Sequence, residues 1–82
     1  MKQLVSLSVP AISQDFDILI PNDLEIIKVI PLLSEAVEVL SNHMYISSGE
    51  EILCSPEKNL VLIGSATLSG YGIQHGEKLV LL

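Results

Sequence analysis

The side chains in this chain that could do covalent or metal chemistry are few: one cysteine, Cys54, two histidines, His43 and His75, and ten acidic residues. A cysteine nucleophile needs its thiolate stabilised or a base beside it. Neither histidine stands at a nucleophile-motif spacing from Cys54, and no Gly-rich elbow surrounds it, so Cys54 reads as a small apolar strand residue. Zinc sites built from Cys and His use short ligand spacings of about 2–5 residues, and no two of these three residues are that close. Gly70-Tyr71-Gly72 lacks the lysine that follows a phosphate-binding loop and reads as a helix-end turn. Asp15/Asp17 and Glu50/Glu51 read as solvated charge. The expectation is no catalytic residue, no cofactor and no metal ligand, which leaves a non-enzymatic protein-binding module.

Charge and composition narrow the partner. Four basic residues against 10 acidic ones give a formal charge of −6, the wrong sign for nucleic acid or an anionic membrane surface. A single cysteine permits no internal disulfide and favours an intracellular compartment. Met1-Lys2 is not followed by the apolar core of a signal peptide, and no apolar run approaches the ~20 residues needed to span a bilayer, so a cytoplasmic location without membrane insertion is expected. A chain of 82 residues, 49% hydrophobic, is expected to form one domain over residues 1–82, with either a dense aliphatic core or apolar surface kept for a partner.

The elements that would position such a surface follow from patterning. Lys2 to Pro10 is rich in β-formers, with Leu4, Leu7 and Val9 set against Gln3, Ser6 and Ser8 and with Val5 breaking the alternation; it predicts a strand. Ala11 to Asp15 predicts a turn. Phe16, Ile18 and Ile20 alternate with Asp17 and Leu19, which predicts the second strand of an antiparallel hairpin. Pro21-Asn22-Asp23 predicts a helix entry capped by Asn or Asp. From Leu24 to about Leu40 the residues Ile26, Ile30, Leu33, Val37 and Leu40 recur at helical spacing. Pro31 is expected to kink or split that helix. Val29, Leu32, Ala36 and Val39 form a further apolar row, which reads first as a helix deeply seated in a small domain and, alternatively, as a broad face in contact with a partner or with a second copy of the chain.

Ser41 to Glu51 predicts a loop, Glu51–Ser55 and Leu60–Ile63 short strands, and Pro56 to Asn59 the turn between them. In the closing stretch T-L-S-G-Y-G-I-Q-H-G-E-K-L-V-L-L, Leu68, Tyr71 and Ile73 sit in a turn-rich corner in which Ser69 is the expected cap and Gly72 takes a positive φ. His75 to Glu77 is a tight turn. Lys78 to Leu82 is a nearly continuous apolar run, predicting a central strand inserted between strands made earlier.

The T-L-S-x-Y-x-I-Q spacing followed by L-x-L resembles the end of ubiquitin. Gly72 and the H-G-E-K before the last strand are more similar to the bacterial ubiquitin-like proteins of the YukD/EsaB type and to the related amino-terminal domain of the EccD membrane component of ESX systems. The segment P-N-D-L-E-I-I-K-V-I-P-L-L also resembles the EccD version, in which a proline within the helix recurs. Together with the element order, the resemblance implies an α+β ubiquitin-like β-grasp, with a mixed sheet of four to five strands and one main helix packed across it.

The function this resemblance implies is that of a non-enzymatic accessory or regulatory component of a bacterial type VII (ESX/Ess/Yuk) secretion system. Expected partners are the system's membrane components or its FtsK/SpoIIIE-like ATPase. The cytosolic domain of a larger EccD-like membrane protein is the neighbouring reading. A ubiquitin-like modifier or sulfur carrier is disfavoured, because those proteins end in Gly-Gly and no Gly-Gly occurs here. Ubiquitin's receptors bind the outer face of its sheet. With Leu79 and Leu81 inward, Val80 and Leu82 point outward, and Leu53, taken as flanked by inward Ile52 and Cys54, is expected beside them. Leu53, Val80 and Leu82 are thus the expected protein-binding residues.

Overall fold

Alternating burial builds the first hairpin. In the computed structural model, which describes residues 1–82, β1 (Lys2–Val9) and β2 (Gln14–Pro21) pair antiparallel along their whole length, Lys2 opposite Pro21 and Val9 opposite Gln14. Pro10–Ile12 forms one 3₁₀ turn between them, and Ser13 closes it at φ 54°. The inward set of β1 is Gln3, Val5, Leu7 and Val9, all buried, while Leu4 lies on the other face. Val5 therefore keeps the alternation and Leu4 breaks it, the reverse of the sequence expectation. The polar intruder, Gln3, is satisfied by donating its side-chain amide to the Ile73 carbonyl at 2.7 Å, so its burial leaves no unpaired group.

Helix α1 (Ile26–Leu40) lays Ile26, Val29, Leu33 and Val37 into the core. Its entry differs from the predicted one. Neither Asn22 nor Asp23 caps it; Glu25 occupies the capping position without a side-chain bond. The first free N–H groups go instead to main-chain carbonyls of a distant loop, Ile26 to Ala66 at 2.9 Å and Ile27 to Gly64 at 3.1 Å. Backbone acceptors satisfy the orphan donors as a side-chain cap would. Pro31 does not split the helix. It sits on the exposed side, where the lost bond leaves only the Ile27 carbonyl to be hydrated. Both predicted aliphatic rows are split between core and surface: Val29 joins Ile26, Leu33 and Val37 inside, while Leu32, Val39 and Leu40, and Ile27 outside either row, are exposed.

Beyond the helix, β3 (Leu53–Ser55), β4 (Leu60–Leu62) and β5 (Glu77–Leu81) complete a five-stranded sheet in the order β2-β1-β5-β3-β4. The final strand is central, parallel to β1 and antiparallel to β3. Asn59 adopts φ 56° in the Pro56–Asn59 turn, and Gly72 takes φ 72° in the corner before β5. In that corner Thr67, not Ser69, is the cap: its Oγ1 accepts the Gly70 N–H at 2.9 Å. The result is the α+β, ubiquitin-like β-grasp, with one layer of sheet under one main helix and a continuous core from Val5 to Leu81 between them.

Candidate functional site

The layer opposite the helix is the outer face of the sheet, and the parity of each strand decides which side chains reach it. On β5, Leu79 and Leu81 are buried while Val80 and Leu82 alternate outward, Leu82 with 60% exposure. On β3 the parity is the reverse of that expected. Leu53 is fully buried, and Ile52 and Cys54 are the outward residues. Leu53 is thus a core residue and leaves the expected binding set. The pairing fixes this: Leu53 lies opposite inward Leu81 on one side and inward Leu62 on the other, and paired residues share a face.

Register brings the outward residues together in two rows. Ser8, Val80, Cys54 and Val61 are consecutive neighbours across β1, β5, β3 and β4. Below them, Ile52 and Leu82 exchange backbone hydrogen bonds at 2.9 and 2.8 Å. Ile63 follows Leu62 just beyond the end of β4; its N–H donates to the Tyr71 hydroxyl at 3.1 Å, which anchors the end of the patch. Ile52, Val61, Ile63 and Leu82 are 47–66% exposed. Six apolar side chains on three adjacent strands, counting half-buried Cys54 and Val80, make a contiguous surface of the kind that isolated surface aliphatics do not. Alternation in E-I-L-C-S and L-V-L-I carried this signal; E-I-L-C-S was read in the opposite phase and L-V-L-I in none.

A buried carboxylate holds the strands of this face together. Glu77, expected in the turn, instead opens β5 with its side chain inward and fully buried. It accepts hydrogen bonds from Ser55 Oγ at 2.8 Å, Lys58 Nζ at 2.9 Å and the Gln74 N–H at 2.9 Å. Burial alone would push its carboxyl pKa up, but the Gln74 amide, the Lys58 ammonium and the Ser55 hydroxyl outweigh it and hold the group below the usual carboxylate value.

A second carboxylate organises the loop before β3. Glu51 Oε2 accepts from Tyr45 Oη at 2.9 Å, the Ser48 N–H at 2.6 Å and the Ser47 and Ser48 hydroxyls, and Oε1 accepts from the Gly49 N–H. Desolvation works against the charge, yet the donors, led by the Ser48 amide, bring Glu51 down to about 2. Tyr45, first by burial and then by its bond to Glu51, is pushed up to about 12. The long loop is thereby an ordered Ω-like turn rather than a slack connection.

The reactive side chains are dispersed by the fold. Cys54 lies in the apolar outer face. His43, at φ 66°, belongs to the left-handed turn that ends α1, and His75 Nδ1, in the turn before β5, accepts the Leu4 N–H of β1 at 3.2 Å. No three His, Cys, Asp or Glu side chains come together as a metal site, and no helix is long and apolar enough to cross a membrane.

Among solved structures the chain is similar to several ubiquitin-like domains. These include the N-terminal ubiquitin-like domain in the 4931431F19Rik protein (TM-score 0.76, 14% identity, 99% of this chain and 73% of that one). The UBL domain of Plasmodium falciparum Dsk2 is another (TM-score 0.69, 20% identity, 99% and 96%). A third is the ubiquitin-like domain of Arabidopsis thaliana protein At2g32350 (TM-score 0.67, 17% identity, 99% and 76%). At these identities the likeness establishes the fold. No protein-family sequence model matches the chain, and no curated protein matches it by sequence.

Proposed function

We propose that this β-grasp domain is a non-enzymatic, cytoplasmic protein-binding component of a type VII secretion apparatus, docking a membrane component or the FtsK/SpoIIIE-like ATPase through the outer face of its sheet. The observation that carries the docking role is the apolar surface of Ile52, Cys54, Val61, Ile63, Val80 and Leu82, which a domain with no partner would have little reason to keep contiguous. The secretion assignment rests on the closing T-L-S-x-Y-x-I-Q…H-G-E-K-L-x-L pattern and the proline within α1, which resemble the YukD/EsaB and EccD versions of the fold. A place as one domain of a larger EccD-like protein is supported by the same residues, and one similar solved domain is itself the N-terminal part of a longer protein.

The test is affinity capture from the parent bacterium's membranes with the wild-type chain and with a Val61→Asp/Val80→Asp variant whose fold is checked by circular dichroism. Both positions face outward, so the variant is expected to fold and to lose the secretion ATPase or channel component that wild type retains. Equal capture by both removes the outer face from the proposal. Capture of no secretion component by wild type removes the type VII role.

A further inference from the structure

We propose that the free edge of β2 is a second docking site, distinct from the outer-face patch, for an extended protein segment in which Lys or Arg alternates with aliphatic residues. β2 is one of the two edge strands of the sheet, and at eight residues it is much longer than the three-residue β4 at the other edge. Natural edges of that length are commonly blunted by a bulge, a proline or charged side chains. β2 has no bulge or proline along its middle, and its charges are two exposed aspartates, Asp15 and Asp17, which repel an acidic strand but not a basic one. Its register with β1 runs without interruption from Gln14 to Pro21, and its only proline is the last residue.

The phase of the ladder shows which groups the edge offers. Leu4 directs its own backbone toward β5, its carbonyl accepting the Gly76 N–H at 2.7 Å and its N–H donating to His75. Leu4 and its partner Leu19 are therefore a non-hydrogen-bonded pair. On the other phase, the Asn22 N–H donates to the Met1 carbonyl at 2.9 Å. The even-numbered residues of β2 thus bond β1, and the N–H and C=O groups of Asp15, Asp17 and Leu19 point to the open edge. An added strand would find three donors and three acceptors in register, the arrangement used in β-augmentation.

The side chains on this edge select the occupant. Asp15, Asp17 and Leu19 also carry the exposed, outer-face side chains of β2, and neither aspartate makes an ion pair. Basic residues at alternate positions of an added strand would lie opposite them. On the inner face, Phe16 and Ile18 pack against the core but are only half-buried, so the intervening positions of the added strand would meet apolar surface. A second copy of the chain is a poor occupant. Antiparallel self-pairing that uses all three edge residues sets Asp17 opposite Asp17, and like charges directly opposed destabilise a ladder.

The probe is an acetylated, amidated eight-residue peptide of alternating Lys and Val, titrated into the isotopically labelled full chain. The control is its Glu–Val counterpart. The expected result is slowed amide exchange at Asp15, Asp17 and Leu19 with the Lys–Val peptide alone. An Asp15→Asn/Asp17→Asn variant, which preserves every ladder bond, should bind about 3- to 10-fold more weakly and with less sensitivity to salt. Asp17→Pro removes one edge-directed donor without touching the β1 ladder and should abolish binding. Equal binding of both peptides, unchanged affinity in the Asn variant, changes confined to the Ile52/Val61/Val80 face, or no binding at millimolar peptide would each overturn the proposal.

Discussion

Removing the Glu77 carboxylate should cost this domain a large share of its stability. In Glu77→Ala the Ser55 hydroxyl and the Gln74 amide lose a buried acceptor and Lys58 loses its counter-ion. Each unsatisfied buried donor costs about 1–3 kcal/mol, and breaking a buried ion pair by deleting one member costs about 3–5 kcal/mol. Because Lys58 is itself 27% exposed and can rehydrate, a total near the lower end, about 3–4 kcal/mol, is expected. At about 0.05–0.15 kcal/mol per residue, a chain of this size has roughly 4–12 kcal/mol in all. The loss should appear as a fall in melting temperature of about 12–30 °C, and in urea as a lower midpoint at unchanged slope. Lys58→Met leaves the Ser55 and Gln74 bonds in place but strips the fully buried carboxylate of its counter-ion, and should therefore cost about 2–4 kcal/mol and raise the Glu77 pKa. The pH dependence has a definite sign. The folded carboxyl is held below its ordinary value of 4.5, so its contribution is complete above that value and disappears as pH falls through the lower, folded one. A Glu77→Ala variant within about 1 kcal/mol of wild type at pH 7, or a deficit that persists undiminished at low pH, would refute the reasoning.

Four other substitutions probe separate parts of the structure. With Glu51 lowered from 4.5 to about 2 and its donors partly solvent-exposed, Glu51→Gln should lose about 1–2 kcal/mol at pH 7, after discounting for screening. That loss should vanish between pH 4.5 and about 2. Ultraviolet titration should find Tyr45 ionising near 12 in wild type and lower, but still raised, in the variant, since burial is the larger cause. Leu53→Asp places a charge at a fully buried core position and should unfold the domain, whereas Val61→Asp on the neighbouring strand should leave the thermal midpoint within a few degrees; equal effects would contradict the strand parity. Pro31→Ala restores the N–H that α1 lacks at an exposed position and should raise stability by about 1–3 kcal/mol, read by chemical denaturation.

Patterning over long segments made the element types legible, because eight-residue strands and four turns of helical period declare themselves, although in β1 the break in alternation lies at Leu4 and not at Val5. The hairpin, the helix and the central position of the last strand followed from it. Cap chemistry was less legible. The donors of Ile26 and Ile27 find their acceptors at Ala66 and Gly64, about forty positions away in sequence, and no local motif reports that. The same holds for Gln3 and Ile73, a polar side chain made safe inside the core by a carbonyl from the far end of the chain.

The parity of β3 was the consequential case, since three ordered residues carry too little pattern to choose a face. In I-L-C-S both phases put one large aliphatic inward, and hydrophobicity alone is indifferent between them. What breaks the tie is polar. Ser55 can reach Glu77 only if it points into the core, and Leu53, two residues earlier, must then point there too. Glu77 in turn must be inward because it alternates with Leu79 and Leu81, the pair that the apolar last strand commits to the core. The outward set of Ile52 and Cys54 is thus dictated by a carboxylate more than twenty residues downstream. A buried charge with specific donors fixes register where apolar packing leaves it degenerate, and here it decides which side chains form the candidate docking face.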